Sequence, residues 1–190
     1  MQRRQLLGAM LAWQAPGALA GLDPGVVAPD FELQAALAGR EFRFSLREAR
    51  AAGPVVLYFF PAAYSEGCSL EAHTFAEAMA DFQAAGTSVI GVSADDIATL
   101  KRFSMQACQG RFAVGSDADQ RVMKAYDAVM RTRPDFATRI SFVIAPDGRI
   151  AYTYKNLEPT RHVERTLAAA RQLVPAGGGA RSGGAGANPP

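Results

Sequence analysis

The sequence predicts an α/β fold in which a mixed β-sheet lies between two helical layers. Three observations predict it. Val55 to Phe60 (VVLYFF) and Thr87 to Ser93 (TSVIGVS) are short apolar runs rich in β-branched and aromatic residues, as buried strands are. Each is followed by a stretch whose apolar residues recur at helical spacing. Finally, Ile140 to Ala145 and Ile150 to Tyr154 flank Pro146-Asp147-Gly148-Arg149, a strong hairpin signal, and one more helical pattern follows. Strand–helix alternation that ends in a hairpin and a helix gives a sheet of mixed sense with helices on both faces. The 190 residues, 49% of them apolar, suffice for one domain with a substantial core.

The elements follow in order. Residues 1–20 have the form of a cleavable export signal. Gln2-Arg3-Arg4 is a basic start, Leu6 to Trp13 is mostly apolar, and Ala18-Leu19-Ala20 is a cleavage site before Gly21. The paired arginines resemble a twin-arginine signal, although they also suit a general secretory one; an N-terminal amphipathic helix is the alternative. The mature domain then covers residues 21–174 outside the cytoplasm, in a bacterial periplasm. Gly25 to Leu33 is an extended lead-in, with Pro29 holding Ala28 out of the helical region. Glu41 to Leu46 alternates Phe42, Phe44 and Leu46 with polar residues, the pattern of an edge strand, and Ser45 caps a short helix. Pro61 stops the Val55 strand. From Gly67 a helix runs to Ala85-Gly86, with Cys68, Ala72, Phe75, Met79 and Phe82 on its core face. Asp95 and Asp96 are cap candidates for a helix to about Cys108 that packs Leu100, Phe103 and Ala107. Phe112 to Val114 is a short strand, the Ser116–Asp119 turn caps a helix through Tyr126, and residues 130–138 form a polar loop. Thr160 caps the last helix, which turns Val163, Leu167 and Ala170 inward. Residues 175–190 are glycine-rich and too poor in apolar side chains to pack. In one domain's length these elements match a thioredoxin-like α/β/α sandwich.

Charge narrows the functional classes. There are 20 basic and 18 acidic residues, and Arg3 and Arg4 supply the excess of two, so the remainder is balanced. This leaves no basic face for nucleic acid and no polybasic patch to hold a membrane once the signal is removed. No Cys/His cluster has ligand spacing and no glycine-rich loop follows a strand, so neither a metal nor an organic cofactor is implied.

The chemistry is expected at Cys68. It falls in the first turn of a helix that follows a strand-ending loop, where unpaired N–H groups and the helix dipole favour a thiolate. The alternative is a small core hydrophobe. Cys108, the other cysteine of the chain, could pair with Cys68 in a structural disulfide if the compartment is oxidising.

Pro61, Ser65 and Cys68 reproduce the Pro-x-x-x-Thr/Ser-x-x-Cys signature of the peroxiredoxins, and FFPAAYSEGCSLEAHTF resembles the peroxiredoxin Q branch, also called bacterioferritin comigratory proteins. VAPDFEL, GVSADD, SDAD and FVIAPDGRI agree in order, so the resemblance covers most of residues 25–173. It implies a thiol-dependent peroxidase that attacks hydrogen peroxide or an alkyl hydroperoxide through Cys68 and forms a sulfenic acid. Recycling would then need a thioredoxin-like or small-molecule thiol, and the assembly would be a monomer or homodimer. By the same resemblance Ser65 would bond the sulfur or the peroxide, Pro61 would shield the thiol, and Arg139 would supply fixed positive charge. Glu71 would orient Arg139. Read alone, Arg139 is a solvated charge at a strand start, and Glu71 a first-turn acid matched to the dipole.

Several residues depart from the family pattern. Ser65 stands where threonine is usual, Glu66 replaces a common proline, and Ser69-Leu70 replaces a polar pair. His73 occupies the position of a resolving cysteine in many relatives. Five residues turn a helix by roughly 500°, so His73 points away from Cys68 and is expected to be solvated or locally bonded. Other relatives place that cysteine near Ser104, and Cys108 lies a turn beyond it, either as the resolving thiol or as an inert core thiol. Two further readings remain. One is a redox sensor or binding module on the same fold. The other is a thiol–disulfide oxidoreductase, for which the C-x-x-C motif is missing because Ser65 takes the first position.

Overall fold

A computed structural model describes residues 21–173. The expected export signal and the whole of the expected tail, residues 175–190, lie outside the described residues. Seven strands form one sheet in the order β2-β1-β5-β4-β3-β6-β7. They are β1 (Glu32–Leu37), β2 (Arg40–Ser45), β3 (Val55–Phe59), β4 (Ser88–Ser93), β5 (Ala113–Ser116), β6 (Ile140–Ile144) and β7 (Ile150–Lys155). β3, β4 and β5 run parallel, and β1, β2, β6 and β7 pair antiparallel, so the sheet is mixed.

Alternation along the strands divides the core in two. Val55, Leu57 and Phe59 of β3 enter one apolar cluster, which α1 (Leu46–Ala52) and α5 (Arg121–Ala125) cover with Leu46, Val122 and Met123. Val56 and Tyr58, with the following Phe60, enter the other. That side is covered by α2 (Glu66–Glu77), α3 (Met79–Ala84), α4 (Ile97–Gln106) and α6 (Thr160–Gln172). The arrangement is the expected thioredoxin-like α/β/α sandwich. Cys68, Ala72, Phe75, Met79 and Phe82 all lie in the second cluster, on the stripe predicted for them.

Several boundaries differ from expectation. The lead-in becomes a strand from Glu32: β1 pairs with β2 along its length and with β5, and two neighbours outweigh the low strand propensity of its alanines. Phe42 is 41% exposed on the edge strand, whereas Phe44 is buried. The Cys68 helix breaks at Ala78 (φ −83°, ψ 0°), without glycine or proline, into α2 and α3. Helix α4 ends at Gln106, so Cys108 sits in the following turn, where Gln109 and Gly110 have φ of 51° and 65°. Asp96, not Asp95, caps α4, accepting from Thr99 N at 2.7 Å. Thr160 is the first residue of α6 and not its cap; its N–H and hydroxyl both donate to Glu158.

Tyr58 anchors the second cluster by stacking on Phe75 with ring centroids 4.5 Å apart. Across the sheet Gly91 leaves it room, because a Cβ there would lie 2.6 Å from the Tyr58 ring. Gly91→Ala should therefore lower stability by about 1–3 kcal/mol through overpacking. Urea unfolding checks this; an unchanged midpoint would show that the ring can move aside.

Candidate active site

Residues from three elements converge beneath the N-terminus of α2. Ser65 occupies the N-cap position in extended backbone, but its side chain caps nothing. Its hydroxyl donates instead to the Ala62 carbonyl at 3.2 Å. The first amides of α2 are thus left without a side-chain partner. Cys68 lies in that turn, with 1% of its surface exposed. Arg139 immediately precedes β6 and, with Ser141 and Val143, faces α2 and α6 by the strand's two-residue period.

Arg139 is the centre of the group. Its Nη2 donates to Cys68 Sγ at 3.4 Å, and its Nη1 donates to Glu71 Oε2. Gly67 permits the approach, since a Cβ there would stand 3.1 Å from Nη2. Arg139 is 7% exposed, so it is not the solvated charge it would be if read alone, and Glu71 is fully buried and not a first-turn acid. Glu71 also lies in the second turn of a helix that starts at Glu66.

Behind Glu71 stands His162, a residue the sequence reading passed over. It is fully buried on α6. Its Nε2 is 3.0 Å from the Asn156 carbonyl, which can only accept, so Nε2 carries the proton. Nδ1 is then free to accept from the Ser141 hydroxyl at 2.8 Å. Glu71 Oε1 is 3.8 Å from Nδ1 and has no hydrogen-bond partner. A signal was available: His162, Thr166 and Ala170 recur every fourth residue, and all are buried on one face of α6.

Burial pushes the Glu71 carboxyl up to about 8, against the downward pull of Arg139. Burial also disfavours the Arg139 cation, but the charges of Glu71 and Cys68 outweigh it and leave its pKa raised. Because Oε2 accepts from the guanidinium and Oε1 has no partner, a proton taken up by Glu71 resides on Oε1. Burial pushes His162 down to about 4, so at neutral pH the imidazole is uncharged and forms no ion pair with Glu71.

The remaining candidates lie around this group. Pro61 is half-buried at the start of the loop. The Asp95 carboxylate fastens that loop, accepting from Ala63 N at 2.8 Å and from the Ser93 hydroxyl at 2.7 Å. Tyr64 follows with φ of 65°, its ring edge against Phe103 at 5.4 Å. His73 is locally bonded, to Gln109 at 2.9 Å and Glu77 at 3.2 Å, and not to Cys68. Cys68 and Cys108 are both free thiols. Cys108 is fully buried in the same apolar cluster as Cys68, and burial raises its pKa. Ser104 binds Gly39 N and the Lys101 carbonyl. Among the described residues no cluster of His, Cys, Asp or Glu could hold a metal ion.

These shifts set a pH profile for stability. The folded His162 value lies below that of the unfolded chain, so its contribution is complete above 6.5 and is lost as pH falls towards 4. The folded Glu71 value is raised, so its contribution is present below 4.5 and is lost as pH rises through 8. Between pH 4.5 and 6.5 the two oppose each other, and wild-type stability should stay level there and decline towards pH 8. Glu71→Gln removes one limb, and the variant should lose roughly 2–3 kcal/mol between pH 6.5 and 4. Urea midpoints across pH check this; parallel profiles for the two proteins would mean that Glu71 holds no proton in this range.

Comparison with known proteins agrees with the geometry. Residues 24–153 match the model of the AhpC/TSA family. A chloroplastic peroxiredoxin Q of Oryza sativa subsp. japonica is 33% identical over 144 residues, which are 75% of this chain and 64% of that protein. The chain thus spans a little under two thirds of that relative's length. The crystal structure of peroxidoxin BcpB from Mycobacterium tuberculosis superposes with a TM-score of 0.71 at 25% identity, covering 79% of this chain and 97% of that one. A bacterioferritin comigratory protein of Xanthomonas campestris gives 0.70 at 25% identity over 80% and 99% of the two chains. With a cysteine, an arginine and a glutamate joined at a helix N-terminus, the chain belongs to the AhpC/TSA family as a peroxiredoxin, similar to peroxiredoxin Q and the bacterioferritin comigratory proteins.

Proposed function

We propose that this protein is a thiol-dependent peroxidase that reduces hydrogen peroxide or alkyl hydroperoxides through Cys68. The carrying observation is Arg139, which contacts the Cys68 sulfur and Glu71 at once beneath an uncapped helix N-terminus. The guanidinium presents a fixed positive charge to the sulfur, and its planar fork can also face a bound peroxide. The thiolate attacks the distal peroxide oxygen. An S–O bond forms as the O–O bond breaks, and the departing alkoxide or hydroxide takes up a proton to leave an alcohol or water. Charge on that departing oxygen is stabilised by Arg139 and the first amides of α2. Pro61 shields the sulfur, and Ser65 serves the peroxide if its hydroxyl turns away from Ala62. The Xanthomonas campestris relative is described as having alkyl peroxide reduction activity, which favours including alkyl hydroperoxides among the substrates.

The sulfenic acid is returned to the thiol in two steps. One thiol condenses with it, releasing water and forming a disulfide, and a second thiol then reduces that disulfide. The first thiol is an external, thioredoxin-like or small-molecule one, or Cys108 once its turn opens. We place the mature protein, residues 21–174 as a monomer or homodimer, in a bacterial periplasm, on the strength of Arg3-Arg4, the apolar run after them and Ala18-Leu19-Ala20.

Cys68→Ser should abolish peroxide consumption measured by stopped flow. Arg139→Lys keeps a charge but loses the fork, and should slow Cys68 oxidation by about 10²–10³-fold. Cys108→Ser should leave the rate of sulfenic acid formation unchanged, since Cys108 contacts neither Arg139 nor Glu71. A Cys68→Ser protein as active as wild type would sink the assignment.

A further inference from the structure

The buried face of α6 contributes one titratable group that the peroxidase chemistry does not use. His162 is held from both sides, with Nε2–H on the Asn156 carbonyl and Nδ1 accepting from the Ser141 hydroxyl, so the ring cannot turn without breaking one of them. Tyr154 packs its ring edge-on against the imidazole at 4.9 Å. Nδ1 is thereby fixed opposite Glu71 Oε1, the carboxylate atom without a partner. A buried polar atom without a partner is costly to a fold, and here one lies on the carboxylate that holds Arg139.

We propose that His162 is a positioning residue of the peroxidatic site, acting on Cys68 through Glu71 and Arg139. Its fixed imidazole forms the back wall of the carboxylate and thereby decides how Glu71 meets the guanidinium. Two anionic groups, Glu71 and the Cys68 thiolate, face the single cation of Arg139. A proton that settles on Glu71 Oε1 can be shared with Nδ1 over a closure of the 3.8 Å gap once the Ser141 hydroxyl turns its own proton away from that nitrogen. It would leave the charge of Arg139 to the sulfur. A carboxylate left bare competes for that charge. The other groups around the imidazole are Arg139 before β6, Glu158 in the loop before α6, and Tyr154 on β7. Of these Arg139 opposes an imidazolium and Glu158 favours one, and burial dominates both.

The inference rests on the peroxidase reading for its purpose, but its test needs no peroxide. Two variants separate the ring nitrogens. His162→Asn places an amide near the Nδ1 position and abandons the Asn156 bond. His162→Gln reaches Asn156 and abandons the position facing Glu71. The readout is the rate at which iodoacetamide alkylates Cys68 at pH 6 in a Cys108→Ser background. His162→Gln should slow it on the order of tenfold, as removing an outer-shell partner typically does, and His162→Asn should largely restore it. Equal rates in both variants and wild type, with only stability reduced, would show a merely structural histidine.

If neither variant folds, the parent protein decides. The chain has two histidines, so ¹⁵N-histidine labelling gives two imidazole signals, of His73 and His162. Cys68→Ser should shift the His162 ring nitrogens and leave those of His73 in place. An unmoved His162 would overturn the coupling even in a protein with full peroxidase activity. Loss of peroxidase activity without an effect on these readouts concerns Cys68 alone.

Discussion

A single buried cation determines how much of this molecule must be arranged. Arg139 is taken almost wholly out of water, and an arginine so placed is tolerated only if its donors meet acceptors of good geometry. Glu71 and Cys68 meet that need, both from α2, five and two residues into the helix from Glu66. Removing Glu71 would leave the Arg139 charge unpaired in a low-dielectric core, whereas replacing the whole set by apolar side chains would be far less harmful to folding. Retaining the set is therefore a statement about chemistry and not about stability.

The sheet brings the set together with few moving parts. β6 pairs antiparallel with both β3 and β7, which places the residue just before β6 at the end of β3 where the loop to α2 begins. The two-residue period of the strand then turns Arg139, Ser141 and Val143 to the same side. The 3.6-residue period of α2 turns Cys68, Ala72 and Phe75 down onto that side, with Glu71 beside them. Helix α6 closes the space from behind with His162 and Thr166. The site is thus bounded by regular elements on three sides and by one fastened loop on the fourth.

How much of this could be read from the chain follows from the range of each signal. The strands β3, β4, β6 and β7 and the core stripe of α2 are local patterns, and they stand where the residues place them. The juxtaposition of Cys68, Glu71 and Arg139 spans 71 positions from Cys68 to Arg139, and no periodicity reports it; family resemblance did. β1 was missed because its alanines carry little strand signal and only its two neighbours make it a strand. The break at Ala78 and the early end of α4 at Gln106 are decisions of packing with no glycine or proline to announce them. His162 was missed because a histidine beside Val163 looks like the solvent side of an amphipathic helix. Its burial depends on α2 and β6 arriving from elsewhere.

Phe103 has a consequence for the lifetime of the oxidised sulfur. Its ring meets Tyr64 in the left-handed stretch of the Cys68 loop and stacks on Phe60, while its carbonyl accepts from Cys108 N at 3.2 Å. The loop that precedes one thiol and the turn that carries the other are therefore joined through a single residue, by its ring on one side and its carbonyl on the other. If Cys108 is the thiol that captures the sulfenic acid, both must open together, and the ease with which Tyr64 leaves Phe103 sets the delay. During that delay a second peroxide can carry the sulfur on to the sulfinic acid, from which ordinary thiols do not rescue it. Resistance to irreversible over-oxidation would then be tuned by the grip of an aromatic contact, at some distance from the atoms that react.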